Sequence, residues 1–186
     1  MRALIDAWWP PIERGEIEAI VMTASGCGSL VKEFDRHLHE DPEYREKAER
    51  ISAMTKDLSE VVPANATGKK HGSGRVAFQS PCSLQHGQQL RGSIEALLQT
   101  AGYDLAPVAD GHLCCGSAGT YSILQPELSG RLRERKLSAL AAGDPGLIAT
   151  ANIGCLVHLQ AATRTPVRHW IQLLDEASGS AENSAP

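Results

Sequence analysis

Apolar residues recur at helical spacing from the first positions of the chain. Leu4, Ile5, Trp8 and Trp9 share one side of residues 3–14, a helix that stops at or soon after Pro10 and Pro11. Residues 18–24 form a short continuous apolar run, which reads as a buried parallel strand. Ser25-Gly26-Cys27-Gly28 reads as a tight turn behind it, and Leu30 starts a further helix. Residues 41–62 carry one long helical pattern, opened by Asp41-Pro42-Glu43, a cap with proline in the first turn. From 63 to 74, Pro63, Asn65, Gly68, Gly72 and Gly74 with Lys69, Lys70 and His71 predict a solvated linker.

A regular alternation follows. Residues 75–79 predict a strand leading to Pro81-Cys82, and 84–101 a helix ended by Gly102. Residues 103–108 predict a strand leading towards Cys114-Cys115. A charged amphipathic helix runs from Pro126 to about Ala142. Its Arg131, Arg133, Arg135 and Lys136 read as a solvated face, with docking to a partner subunit as the alternative. Residues 146–151 predict a strand leading to Gly154-Cys155, with a helix from about Leu156. Residues 166–170 suggest a fourth strand before a last helix over 170–177, where His169 and Trp170 are assigned to packing. Residues 178–186 read as a disordered tail. Strands alternating with helices give an α/β fold, a short parallel sheet flanked by helices. Trp8 and Trp9 fit either a core or a subunit interface.

Composition narrows the class of function. The chain has 186 residues, 42% hydrophobic and 22% charged, enough for a real core. A net charge of −4, no basic stripe and 4% aromatics argue against nucleic-acid binding. No apolar run approaches the roughly 20 residues of a membrane span, and the N-terminus does not read as a signal peptide. Five cysteines, an odd number, without a secretion signal argue against a disulfide scaffold.

The adjacent pair Cys114-Cys115 carries the most chemistry. Thirty-one residues separate it from Cys82 and 39 from Cys155. Neighbouring cysteines bond to each other only through a strained ring, yet both can aim thiolates at one metal centre. The residues that follow, Gly116, Ser117, Ala118 and Gly119, have little bulk and let backbone N–H groups approach a large inorganic group. Cys82, Cys114, Cys115 and Cys155 each follow a predicted strand, at the carboxyl edge where open α/β sheets build their sites. One metal centre gripped from three loops is expected. Zinc is the weaker alternative, because Cys₄ zinc sites usually use two close Cys-x₂₋₄-Cys knuckles.

The segment 19–27 also echoes 147–155: apolar strand, Thr-Ala, turn, Gly-Cys, helix. More loosely, 56–62 echoes 168–174. Residues 1–62 therefore read as the C-terminal part of a first repeat, and 75–177 as a complete second one. In the first, Cys27 has no upstream cysteine and no Cys-Cys pair beside it, so the chain reads as truncated at its N-terminus.

These motifs resemble a known family. Cysteine, Cys-Cys-Gly and cysteine at these spacings resemble the cysteine-rich CCG domain of heterodisulfide-reductase-like proteins. Pro81-Cys82-Ser83-Leu84-Gln85-His86, the stretch from His112 to Tyr121, the stretch from Thr150 to Leu159, and Pro166-Val167-Arg168-His169-Trp170 are similar to the iron–sulfur subunits of glycolate oxidases (glycolate dehydrogenases). The resemblance covers about residues 3–177 and would make the chain a C-terminal half, without the family's ferredoxin-like N-terminal part. It implies a [4Fe–4S] cluster held by Cys82, Cys114, Cys115 and Cys155, with Cys27 a ligand of the first repeat's site in an intact subunit, whereas in this chain Cys27 reads as an unligated buried thiol. It also implies an FAD-bearing partner that oxidises glycolate to glyoxylate, and electrons passing towards a quinone-type acceptor. The implied location is cytoplasmic, peripheral on the inner face of the membrane through the complex. The fullest CCG motif ends Cys-x-x-Cys, whereas His158 stands last here. His158 is then a fifth ligand, a hydrogen-bond donor to sulfide, or a helix residue. His86 and His112 either tune the cluster or sit as surface or capping histidines. Cluster-based thiol–disulfide chemistry and a zinc-stabilised interaction module are the other functional readings.

Overall fold

In the computed structural model, residues 1–63, 65–66 and 72–179 are described. They fall into two compact units, Met1–Val61 and a second starting at Val62. Much of the expected linker, including Gly68, Lys69, Lys70 and His71, lies outside the described residues, as does residues 180–186 of the expected tail.

The first unit runs α1 (Arg2–Glu13), β1 (Ile20–Met22), α2 (Ser25–Lys32), α3 (Phe34–His37), α4 (Arg45–Met54), β2 (Thr55–Asp57) and α5 (Leu58–Val61). β1 and β2 pair in parallel, Ile20 with Thr55 through Met22 with Asp57. Ile5, Phe34, Ala48 and Ile51 form its core, and Trp8 and Trp9 pack against it partly buried. Two expectations need correction. The single helix over 41–62 is broken by β2. Thr55 takes an extended backbone, and its hydroxyl donates to the Ile51 carbonyl at 2.7 Å, capturing an acceptor at the end of α4. No breaker residue marks the break; the pairing with β1 imposes it. The turn expected at 25–28 is instead the first turn of α2, with Cys27 in it.

The second unit runs β3 (Arg75–Gln79), a π-type turn (Ser83–Gly87), α6 (Ser93–Thr100), β4 (Asp104–Ala106), α7 (Tyr121–Leu124), α8 (Pro126–Ala141), β5 (Leu147–Thr150), α9 (Ile153–Gln160), β6 (Val167–His169) and α10 (Trp170–Ala177). The four strands are all parallel in the order β4-β3-β5-β6. With right-handed crossovers, that order puts helices on both faces. Ala77, Ile148, Leu140, Leu159 and Val167 share one core cluster with Cys115 and Cys155. The helix expected over 84–101 is two elements, because Gln89 and Gly92 take left-handed backbone between them. α7 was not expected, and α9 begins at Ile153 rather than near Leu156. Gly72 donates to the Ala101 carbonyl and Asp104 to the Gly74 carbonyl, so the end of the expected linker is tied to the sheet.

Each unit contains a strand, a helix with Gly-Cys in its first turn, a parallel strand and a capped helix. The caps correspond in detail. The Asp57 N–H donates to Glu60 while its carboxylate accepts from the Ser59 N–H. The His169 N–H donates to Gln172 while its ring nitrogen accepts from the Ile171 N–H. Trp170, just inside that second cap, is buried.

Candidate metal centre

Connections leave β3 towards one edge of the sheet and β5 towards the other, so these adjacent strands flank the point where strand order reverses. Ligands of open α/β sheets collect beyond the carboxyl ends of such strands. Gln79 and Thr150, the last registered pair, are both buried, and the Thr150 hydroxyl donates to Gln79 Oε1 at 2.6 Å. Just beyond them stand Cys82, at the N-cap of the π-type turn, and Cys155, in the first turn of α9. The loop after β4 brings Cys114 and Cys115 to the same place.

The four thiols form a chain of contacts. Cys82 and Cys114, and Cys114 and Cys115, are close enough to shift one another's titration, and the Cys115 thiol donates to the Cys155 sulfur at 3.1 Å. Cys115 and Cys155 are buried, while Cys82 and Cys114 are partly exposed. Hydrogen bonds from Cys115 and then Cys82 pull the Cys114 thiol well below its ordinary value, helped by the Gly116 N–H. A hydrogen bond from Cys115 pulls Cys155 down as well. Cys82 is pushed up by its hydrogen bond to Cys114 and then by burial; Cys115 by its bonds to Cys114 and Cys155 and then by burial. Protons and charge are thus shared along the set.

The small-residue loop supplies the expected donors. The Gly116 N–H reaches the Cys114 sulfur at 3.3 Å, and the Ser117 backbone N–H draws the Cys115 pKa down. The Asn152 amide adds a longer donor to Cys155, at 3.5 Å. Gly116 has φ +92°, and a Cβ there would stand 2.5 Å from the Ser129 carbonyl oxygen. Ser117 packs over Gly154, where a Cβ would come within 3.1 Å of its hydroxyl. Gly119 also takes a left-handed backbone, with open space beside it.

The histidines make hydrogen bonds around the loops that carry the thiols. His86 Nε2 lies 3.3 Å from the His112 carbonyl, and both side chains are exposed. The Ser129 hydroxyl donates to the Gly116 carbonyl at 2.8 Å and lies 3.2 Å from His158 Nε2. With the hydroxyl proton so engaged, His158 Nε2 is the donor in that pair. Burial, and then Arg133, push the His158 pKa down. His158 sits behind the glycine loop as part of its support.

Sequence reasoning missed how much of α8 turns towards this loop. Arg135 reaches Asp110 at 3.4 Å, Lys136 donates to the Gly111 carbonyl at 2.9 Å, and Ser129 holds Gly116. The run read as a solvated face is therefore corrected: Arg131 and Arg135 are exposed, but Lys136 is fully buried. Gln85 on the π-type turn also donates to the Gly111 carbonyl, at 3.2 Å. Ser129, Lys136 and Leu140, all buried, recur at helical spacing, a signal the sequence did carry. Cys27 belongs to the other unit and, contrary to the buried thiol expected there, its side chain is exposed.

Four thiols on small-residue loops, two of them in the apolar core, suit a soft metal centre. Among the described residues, no three His, Cys, Asp or Glu side chains form a ligand set for a single ion. No helix among the described residues is long and apolar enough to cross a membrane.

Comparison with known proteins agrees with this geometry. Residues 76–160 match the cysteine-rich domain family CCG, a span that holds all four converging cysteines. The chain is 49% identical over 175 residues to the glycolate oxidase iron–sulfur subunit of Escherichia coli, covering 93% of this chain and 43% of that protein. It is 29% identical over 181 residues to a probable glycolate oxidase iron–sulfur subunit of Bacillus subtilis, covering 40% of it. A lactate utilization protein A of Geobacillus kaustophilus is 26% identical over 163 residues. The chain thus spans less than half the length of the first two relatives.

Proposed function

Because this chain carries a CCG cysteine-rich domain and is a relative of glycolate oxidase iron–sulfur subunits, we propose that it holds an iron–sulfur cluster and serves as an electron-transfer part of a glycolate oxidase complex. Cys82, Cys114, Cys115 and Cys155 are its ligands. The observation that carries this reading is the convergence of the four cysteines from three loops beyond the adjacent ends of β3 and β5, with Cys115 and Cys155 in direct contact. When bound, the cluster, of [4Fe–4S] type, accepts and returns single electrons. The protein's residues hold it, bury one side of it, and aim the N–H groups of Gly116 and Ser117 at its thiolates, which favours the more negative, reduced state.

The substrate chemistry belongs to a partner. A flavin subunit carrying FAD oxidises glycolate to glyoxylate and gives the two electrons onward, one at a time, through this centre to a quinone-type acceptor. Glycolate is preferred over lactate on the higher identity to the glycolate-named relative. The complex sits in the cytoplasm, peripheral to the membrane. Residues 1–62 are the C-terminal part of a related repeat, a reading supported by the matching order of elements and helix caps, and Cys27 is the ligand that repeat contributes. A thiol–disulfide oxidoreductase fits less well, since His158 stands where the fullest motif has its last cysteine.

Iron, acid-labile sulfide and zinc in anaerobically purified protein test this directly. About four irons and four sulfides per chain are expected, lost in Cys115→Ser and kept in Cys27→Ser. Zinc alone, or a folded protein without metal, would sink the reading.

A further inference from the structure

Lys136 lies in the core with 0% of its surface exposed, a position lysine almost never takes without a compensating charge. Its ammonium donates to the Gly111 carbonyl at 2.9 Å, an oxygen it shares with Gln85. Among the described residues, no carboxylate forms an ion pair with it. A shared neutral carbonyl does not balance a buried positive charge. Burial pushes the Lys136 pKa down, and what pulls it back is the set Cys82, Cys115, Cys114 and Cys155. That carbonyl lies three residues before Cys114, so the loop that holds the ammonium is the one that carries the thiols. Metal binding removes the thiol protons and leaves four thiolates as the nearby source of negative charge.

We propose that Lys136 is the built-in counter-charge of the cysteine centre, a buried cation that helps hold the anionic metal–thiolate group and raises its reduction potential. This rests on the iron–sulfur reading above. A reduced centre carries one more negative charge than the oxidised one, so a fixed cation beside it favours the reduced form. The placement is specific to one position of α8. The neighbouring Arg135 is exposed and reaches Asp110, whereas Lys136 falls on the buried stripe with Ser129 and Leu140. The same ammonium fixes the loop carbonyl three residues before Cys114, joining the charge to the segment that carries the thiols.

The test compares the full 186-residue chain with Lys136→Met, close in volume but neutral, and with Lys136→Arg, which keeps the charge. Each is loaded anaerobically with iron and sulfide, assayed for both, and titrated against a reductant with spectroscopic detection. Melting of the metal-free proteins is measured beside it. Lys136→Met is expected to load and to have a lower midpoint potential. At a fixed potential its reduced-to-oxidised ratio should fall about tenfold, equivalent to about 59 mV for one electron. Lys136→Arg should stay near the parent. The metal-free Lys136→Met should melt higher than the parent, since the buried ammonium then lacks its full set of counter-anions. Loss of iron from Lys136→Met but not from Lys136→Arg would give the same answer through affinity. An unchanged midpoint in loaded Lys136→Met overturns the proposal. So does iron loss from both folded variants, or a metal-free Lys136→Met that is less stable or unfolded, because a structural lysine behaves that way. Failure of the parent itself to take up iron would sink the proposed function, and this proposal with it.

Discussion

Gly116 meets two demands at once. Its φ of +92° lies where side chains are strained, and the space a Cβ would fill is taken by the Ser129 carbonyl oxygen at 2.5 Å. Backbone cannot swing aside as a flexible side chain would. Gly116→Ala should therefore destabilise the protein by about 1–3 kcal/mol from the strained backbone, with the close contact adding to it. The measurement is the urea midpoint, and a midpoint equal to the parent's would show that the loop re-forms without a glycine. The glycine-rich loop was legible from residue type alone, because small residues after a Cys-Cys pair allow few other purposes. The role of His158 was not. Whether a histidine at that position faces sulfur or serine depends on where Ser129 of α8 stands, 29 residues away in sequence.

At the scale of elements, β3 and β5 set the spacing of Cys82 and Cys155, the first and last of the four converging cysteines. Their ends are tied by the buried bond from Thr150 to Gln79. Thr150→Val keeps the shape but leaves Gln79 Oε1 without that donor in the core. A loss of about 1–3 kcal/mol is expected by chemical denaturation. Adding Gln79→Leu should recover part of it, as both polar partners are then gone. No recovery in the double variant would mean that the threonine acts through packing rather than through this bond. The strands themselves were legible as apolar runs ending before cysteines. The break of the 41–62 helix by β2 was not, since Thr55, Lys56 and Asp57 become a strand only by pairing with Ile20, Val21 and Met22, 35 residues earlier.

In the whole molecule, every converging thiol belongs to the second unit, whose core cluster contains Cys115 and Cys155, while the first unit has a core of its own. A protein of residues 62–186 should therefore bind the same iron and sulfide per chain as the full chain. Metal analysis of the two side by side checks this, and loss of iron from the shorter protein would show that the first unit is needed to keep the site intact.

The sequence by itself determined the α/β class, the strands that precede Cys27, Cys82 and Cys155, the CCG motif and the loop that offers N–H groups to sulfur. These are local properties, since apolar continuity, glycine and cysteine spacing report on the segment that carries them. Tertiary structure alone decided the rest. It brought the four thiols together, turned one face of α8 inward so that Lys136 is buried against the Gly111 carbonyl, and set His158 behind Gly116. Those outcomes depend on strand order and on which side of the sheet each helix crosses, and a charged residue on a helix has the same local signal whether its face meets water or a metal centre.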